Sequence, residues 1–276
     1  MSLAEKSVPG PVRYRNQATG RVLSVLLAFT NSSQPRGVAE LSRALGMNKN
    51  MVHRALTTLT AEGYLVRDVS GARYQLGPRL LTLPAGALHE SDIVALARPA
   101  LEQLHALTGE SVYLSIIVGR NRVTVDDIQA QGARVLRSAR GHPVPLHCTK
   151  MSRVLLAHLS DADIAAYLAA AAPLARASRF PDPPSESERG IWQDIAAIRA
   201  VPFLLWRNPH ASSAAYAIFP VCDASGHPHA ILTVGGPRER FDLAEIEARL
   251  PRMRAILEPL EREARLFPAP IFLAEI

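Results

Sequence analysis

"GMNKNMVHRALTTLTAEGYL", residues 46–65, carries two unlike faces at helical spacing. On a wheel of 3.6 residues per turn, Val52, Ala55, Leu56 and Leu59 share one side, Asn50, Arg54 and Thr57 point about opposite, and His53 lies on their flank. Asn48 is a good N-cap and Gly63 a good stop, so the spacing predicts a helix from about Lys49 to Glu62. Its apolar side needs a scaffold, and its polar side carries residue types that reach base edges and phosphates.

The flanking sequence supplies that scaffold. Upstream, "RVLSVLLAF" reads as a helix with Val22, Leu23, Val25, Leu26 and Phe29 on one face, and "NSSQPRG" breaks it. "VAELSRALG" is a short second helix with Val38, Leu41 and Leu45 on one side and Gly46 as a left-handed stop; Met47 completes a tight turn. Downstream, "YLVRDVSGARYQL" sets β-prone residues on both sides of a Gly-containing turn, a hairpin signal. Three helices and a hairpin in that order make a winged helix-turn-helix. Lys49 and Asn50 then stand at the end of the recognition helix that enters the major groove, and Arg67 and Arg73 flank the wing turn. The candidate DNA-binding set is Lys49, Asn50, His53, Arg54, Thr57, Arg67 and Arg73, with Asn50 and Arg54 on bases and Lys49, Arg67 and Arg73 on phosphate.

Charge is distributed accordingly. The 276 residues hold 31 Lys+Arg against 25 Asp+Glu, a formal net charge of +6. Residues 1–80 contain 11 of those bases and 4 of the acids, a balance of +7; the remaining 20 and 21 give −1. A basic segment joined to a near-neutral one suggests that the first alone meets a polyanion. At 48% hydrophobic and 20% charged, the chain is long enough to bury two cores. No apolar run approaches the roughly 18 residues of a membrane helix, and the opening residues lack the apolar stretch of a secretory signal, so a cytoplasmic protein is expected. Two cysteines, Cys148 and Cys222, are too few for a disulfide framework or a cysteine-rich metal site, and no cofactor is expected.

The expected boundaries are a frayed N-terminus over 1–17, the winged helix over 18–77, a linker helix over 78–90 and an α+β domain over 91–276. In the last, "SDIVALARPALEQLHALTG" predicts a long helix capped by Ser91 and stopped by Gly109. "SVYLSIIVG" and "RVTVDDIQA" read as paired strands, and "ARVLRSA" as a third. A Pro-bounded loop enters a helix near Thr149, followed by helices over about 161–171 and 188–200 with a Pro/Ser-rich loop between them. "PFLLW", "AAYAIFPVCD" and "HAILTVGGP" predict three more strands, and a helix interrupted at Pro251 and Pro259 closes the chain.

Three stretches in this order resemble the IclR family of bacterial transcriptional regulators: "RALTTLTAEGYLVRD" with "RYQLGPRLL", then "PVPLHCTKMSRVLLAHL", then "FPVCDASGHPHAILTVGGPRERF". The resemblance implies operator binding by a homodimer or homotetramer, acting as repressor or activator. It also implies a GAF-like C-terminal domain that takes a small, often acidic metabolite. The family's pocket is formed by the loop into the helix after "PLH" and by the last strands. On that pattern Thr149, Lys150, Met151, Trp206, Arg207, Tyr216, Thr233 and Gly235 are the candidate effector-binding residues. Family members have small residues at Lys150 and Met151, an acidic stretch at "LWRNPH" and Cys at Tyr216. A more aromatic and basic site is therefore expected, with an anionic effector held by Arg207 or the helix N-terminus and packed on Trp206 and Tyr216.

Two other readings compete. One is a winged-helix protein that has no effector and acts through DNA and protein contacts alone. The other is a thiol hydrolase using Cys148 beside His147; adjacent side chains in an extended segment point apart, and no orienting group or oxyanion site is recognisable, so no catalysis is expected. Asp126 and Asp127 likewise diverge and read as a solvated strand end. The histidines show no metal-ligand spacing, and "VGGPRE" lacks the spacing of a phosphate loop.

Overall fold

The structure is a computed structural model that describes residues 16–30, 34–83, 93–131, 140–171, 188–207 and 214–267. The chain divides into two compact units, residues 1–89 and 90–276.

The first unit is built from α1 (Gln17–Leu27), α2 (Val38–Leu45), α3 (Lys49–Ala61), β1 (Leu65–Arg67) and β2 (Tyr74–Leu76). Asn16 caps α1, so the helix starts earlier than its apolar stripe suggests. Val25, Phe29, Leu41, Val52, Leu56, Leu59, Leu65 and Tyr74 form one core, and the α3 residues in it are the stripe read from the sequence. Leu23 departs from expectation: it is 52% exposed and, with Leu27, leaves an apolar strip on α1. Gly46 holds φ +62° at the end of α2, a left-handed turn that costs a glycine little and lets Asn48 open α3 three residues on. β1 and β2 pair antiparallel, Leu65 opposite Leu76. The expected linker helix begins as a single 3-10 turn, Pro78–Thr82; residues 84–92, with the expected cap Ser91, lie outside the described residues.

The second unit runs α4 (Ile93–Thr108), β3 (Ser111–Val118), β4 (Asn121–Ile128), β5 (Pro143–Pro145), α5 (Lys150–Ala157), α6 (Asp161–Ala170), α7 (Glu188–Arg199), β6 (Leu204–Arg207), β7 (Ala214–Cys222), β8 (Pro228–Pro237) and α8 (Leu243–Ala264). The strands form one antiparallel sheet in the order β5-β4-β3-β8-β7-β6, so the middle pair joins chain segments more than a hundred residues apart. Alternation along the strands divides the interior. Val112, Leu114, Ala217, Phe219, Leu232 and Val234 pack on α4 and α8, whereas Ile117, Tyr216, Ile218 and Ile231 pack on α5, α6 and α7. A bulge in β4 shifts the register, since Leu114 faces Asp126 but Ser115 faces Thr124 and Val125 is extra. The expected third strand over 133–139 lies outside the described residues; β5 forms in the Pro-bounded loop.

One expectation fails clearly. α8 runs unbroken through Pro251 and Pro259. Each proline removes a helix hydrogen bond, yet Ile246, Met253, Leu257, Leu260 and Ala264 stay buried, and that packing outweighs a local cost of about 3 kcal/mol. Among the described residues no helix is long and apolar enough to cross a membrane.

Candidate functional site

The first unit turns its recognition face outward. Asn48 accepts a hydrogen bond from the Asn50 backbone N–H at 2.8 Å, which fixes the first turn of α3. Lys49, Asn50, His53, Arg54 and Thr57 are all exposed, opposite the buried Val52, Ala55, Leu56 and Leu59. Thr57 donates its hydroxyl to the His53 carbonyl at 2.9 Å, so its methyl and its oxygen lone pairs are what it presents. The ion pairs described in this unit are Arg36–Glu40 and Arg79–Glu62; among the described residues none involves Lys49, Arg54, Arg67 or Arg73. Arg67 stacks its guanidinium 5.4 Å over the Tyr74 ring, and Arg73 reaches the Pro35 carbonyl at 2.8 Å, tying the wing to the segment before α2. Glycine at 71, with φ +70°, makes the wing turn. Asp68 closes that turn through Ser70 and the Arg73 N–H, and these bonds hold its carboxyl below the usual range.

Sequence reading missed Arg21. It lines, with Asn50, Met51, Arg54 and Thr58, a cleft of about 510 Å³ between α1 and α3. Only the packing of α1 against α3 brings this arginine next to the recognition face, and nothing within its own segment announces that.

The second candidate site lies on the sheet face under α5. Thr149 caps α5, accepting from the Ser152 N–H at 3.0 Å. Lys150 is drawn to Asp194 of α7 at 2.8 Å, a carboxylate it shares with Arg153. Met151 is half-buried against the same core as Tyr216. Trp206 and Tyr216, directly opposite in the β6–β7 register, stack with centroids 5.4 Å apart and planes 18° from parallel. Gly235 lies opposite Tyr216, and Thr233 two residues on lies opposite Ile218. Seven of the eight expected residues therefore gather around one sheet face and the helix on it.

Arg207 does not join them. It pairs with Ala215, whose side chain belongs to the α4–α8 core, so strand parity sets Arg207 on the other face. The cation on the site's face is Arg122, which the sequence reading passed over. Its Nε donates to Ser152 Oγ at 3.2 Å, and its Nη1 donates to Ser115 Oγ at 3.0 Å and to Thr124 Oγ1 at 3.2 Å. These acceptors are all neutral, and burial lowers its pKa to about 10.

The competing chemistry finds little support in the geometry. His147 Nδ1 meets the Tyr167 hydroxyl at 2.7 Å, and burial pushes the Cys148 thiol up to about 11, away from the thiolate a nucleophile needs. Asp126 and Asp127 are not a solvated strand end: Arg140 bridges both, at 2.8 and 2.6 Å, and Arg98 takes Asp126 from α4 at 3.2 Å. The bulge at Val125 turns the two carboxylates into reach of these arginines.

Comparison with known proteins agrees with this architecture. Residues 18–69 match the model of the IclR helix-turn-helix domain, and residues 85–260 match that of the bacterial transcriptional regulator IclR C-terminal domain. The HTH-type transcriptional regulator BhcR of Paracoccus denitrificans is 27% identical over 256 residues, 92% of this chain and 88% of that one. The Pca regulon regulatory protein of Pseudomonas putida is 30% identical over 237 residues, 83% and 77% of the two chains. An IclR homolog from Microbacterium hydrocarbonoxydans, solved in complex with 4-hydroxybenzoate, shares the fold with a TM-score of 0.68 at 18% identity, over 91% of this chain and all of that one.

Proposed function

The chain belongs to the IclR family of bacterial transcriptional regulators, and from that premise we propose that it binds operator DNA as a homodimer or homotetramer under the control of a small anionic metabolite. The observation that carries the DNA reading is the exposed face of α3, where Lys49 and Arg54 have no ion-pair partner among the described residues and the helix that bears them is capped and packed from behind. In this reading Asn50 and Arg54 address base edges, His53 and Thr57 flank them, and Lys49, Arg67 and Arg73 hold phosphates. The apolar strip of Leu23 and Leu27 on α1, with exposed Leu81 and Leu83 after the wing, favours pairing of two copies through the N-terminal unit. The proposed boundaries are 18–77 for the DNA-binding domain, 78–90 for the linker and 91–276 for effector binding and oligomerisation, in a cytoplasmic, nucleoid-associated protein.

The C-terminal site supports an effector through its chemistry, with a guanidinium, several hydroxyls and a stacked aromatic pair on one face. The related structure holding 4-hydroxybenzoate makes an aromatic acid a fitting class. Such a ligand regulates only if it binds one arrangement of the paired copies more tightly than another.

Selection of binding fragments from the source genome by the full-length protein, followed by footprinting, tests this reading. It should return a pseudo-palindromic site with protections spaced by about one helical turn or a multiple of it. Recovery of no enriched sequence from folded protein, with or without candidate acids, would contradict it.

A further inference from the structure

We propose that Arg122 receives the carboxylate of a small carboxylic-acid effector, with the hydroxyls of Ser115, Thr124, Ser152 and Thr233 grouped around that carboxylate. This rests on the reading above that the C-terminal unit takes an effector, and it names the charge that selects one.

The setting of Arg122 differs from that of the ion-paired arginines; Arg120, two residues before it, also meets no carboxylate among the described residues, but stacks over the Tyr167 ring at 4.4 Å and donates to the Tyr167 carbonyl. Arg98, Arg140, Arg153, Arg199, Arg240 and Arg249 of the same unit each meet a carboxylate. Among the described residues Arg122 meets none, only the hydroxyls of two strands and one helix. The β-bulge explains why. With regular pleating, Asp126 would share a face with Arg122 and Thr124. The extra residue Val125 moves Asp126 opposite Leu114, onto the α4 side, where Arg98 binds it. The same shift brings Asp127, opposite Tyr113, onto the face of Arg122, where Arg140 binds it.

Two further features point the same way. Ser152, which accepts from Arg122, lies in the first turn of α5, so the positive end of that helix faces the guanidinium. Two positive ends meet there, while Asp194 on α7 is shared between Lys150 and Arg153. The second feature is Thr233, which is fully buried and whose Oγ1 has no hydrogen-bond partner among the described residues. It sits opposite Tyr113 on β3 while Ser115 sits opposite Ile231, so Thr233 and Ser115 are diagonal neighbours on one face, roughly 7–8 Å apart at Cα. An unmatched buried hydroxyl and an unmatched cation on one sheet face call for a single planar acceptor group, and the guanidinium fork fits a carboxylate. The guanidinium of Arg122 is the place for that carboxylate. Met151, Trp206 and Tyr216 offer apolar and aromatic surface for the remainder of the molecule.

The full-length protein and its Arg122→Met, Arg122→Lys and Thr233→Val variants are titrated with benzoate, 4-hydroxybenzoate, butyrate and succinate, and with 4-hydroxybenzamide as an uncharged partner, by calorimetry and thermal melting. At least one of these acids should bind wild type and raise its Tm, and the amide should not. Arg122→Met should weaken that acid by about tenfold to a hundredfold, the range of one charged hydrogen bond, and Arg122→Lys should fall between. The same Met variant should melt about 2 to 4 °C higher than wild type without ligand, because an uncompensated charge has gone; a purely structural arginine would give the opposite sign. Thr233→Val controls for folding and should weaken the acid more mildly. Equal acid binding by wild type and Arg122→Met overturns this inference and leaves the effector reading standing. Amide binding as tight as the acid overturns the stated need for a carboxylate. No binding by folded wild type of any of these compounds overturns both.

Discussion

The exposed arginines of the recognition helix and wing and the ion-paired arginines of the second unit are used in opposite ways. In the N-terminal unit Arg54 and Arg67 stand at the surface beside Lys49, with no carboxylate partner among the described residues. In the C-terminal unit the ion-paired arginines hold the fold together: Arg153, fully buried, binds Asp194 and the His147 carbonyl, Arg240 grips Glu110 at 2.5 Å, and Arg140 spans Asp126 and Asp127. A paired cation has its counter-charge inside the protein; an unpaired one is left for something outside it. By that criterion Arg122 belongs with the surface arginines of the first unit although it is half-buried under α5 in the second.

The comparison breaks first if the units do not stand on separate cores. Leu56 is fully buried between the helices of the winged fold, and Leu56→Ala should cost about 2 to 5 kcal/mol there. Calorimetry should show the N-terminal transition moving down while the C-terminal one stays, and DNA binding should fail. A shift of both transitions together would mean that the units share their stability. Arg54→Ala sharpens the surface half of the contrast: it should remove about 1 to 3 kcal/mol of discrimination at one base pair and leave binding to unrelated duplex nearly intact, as read by fluorescence anisotropy on matched and mismatched sites. Lys49→Ala and Arg67→Ala should instead weaken every duplex by the same factor.

The smallest effect is on pH dependence. His147 and His158 of the second unit are held neutral by burial, with Arg153 and Arg120 adding to the effect at His147 and Arg199 at His158. Unfolding releases them to titrate near 6.5, so as pH falls through that value the unfolded chain takes up more protons and the C-terminal unit loses stability. In the first unit Glu40 is lowered from 4.5 by its hydrogen bond to Arg36, and Asp68 from 3.8 by Ser70; their contributions persist until pH falls below those values. Between pH 6.5 and 5 the C-terminal melting transition should therefore drop while the N-terminal one holds, and the reverse order would refute the assignment.

The winged helix is readable because its signals are local. The α3 stripe, the Gly46 turn and the Asn48 cap each lie within a few residues of what they determine. The C-terminal site is readable only as a neighbourhood. Thr149, Met151, Trp206, Tyr216, Thr233 and Gly235 do gather on one face, but the sequence points to Arg207 for the charge because it does not show strand parity. Arg122 stays hidden for a related reason. Its partners come from 7 and 30 residues away and its lack of a carboxylate depends on a bulge that hydrophobic alternation does not announce. The prolines of α8 mislead because a local penalty is visible in sequence whereas the packing that outweighs it is not.

The claim beneath all of this is that the exposed cations of residues 16–83 meet a polyanion. Its most direct test is the affinity of full-length protein for an enriched genomic fragment as a function of salt, with a Lys49→Ala/Arg54→Ala/Arg67→Ala variant alongside. Log affinity should fall linearly with log salt, and the variant's slope should be shallower by about 0.9 for each phosphate it no longer neutralises. An affinity indifferent to salt, or a slope the triple substitution leaves unchanged, would contradict it.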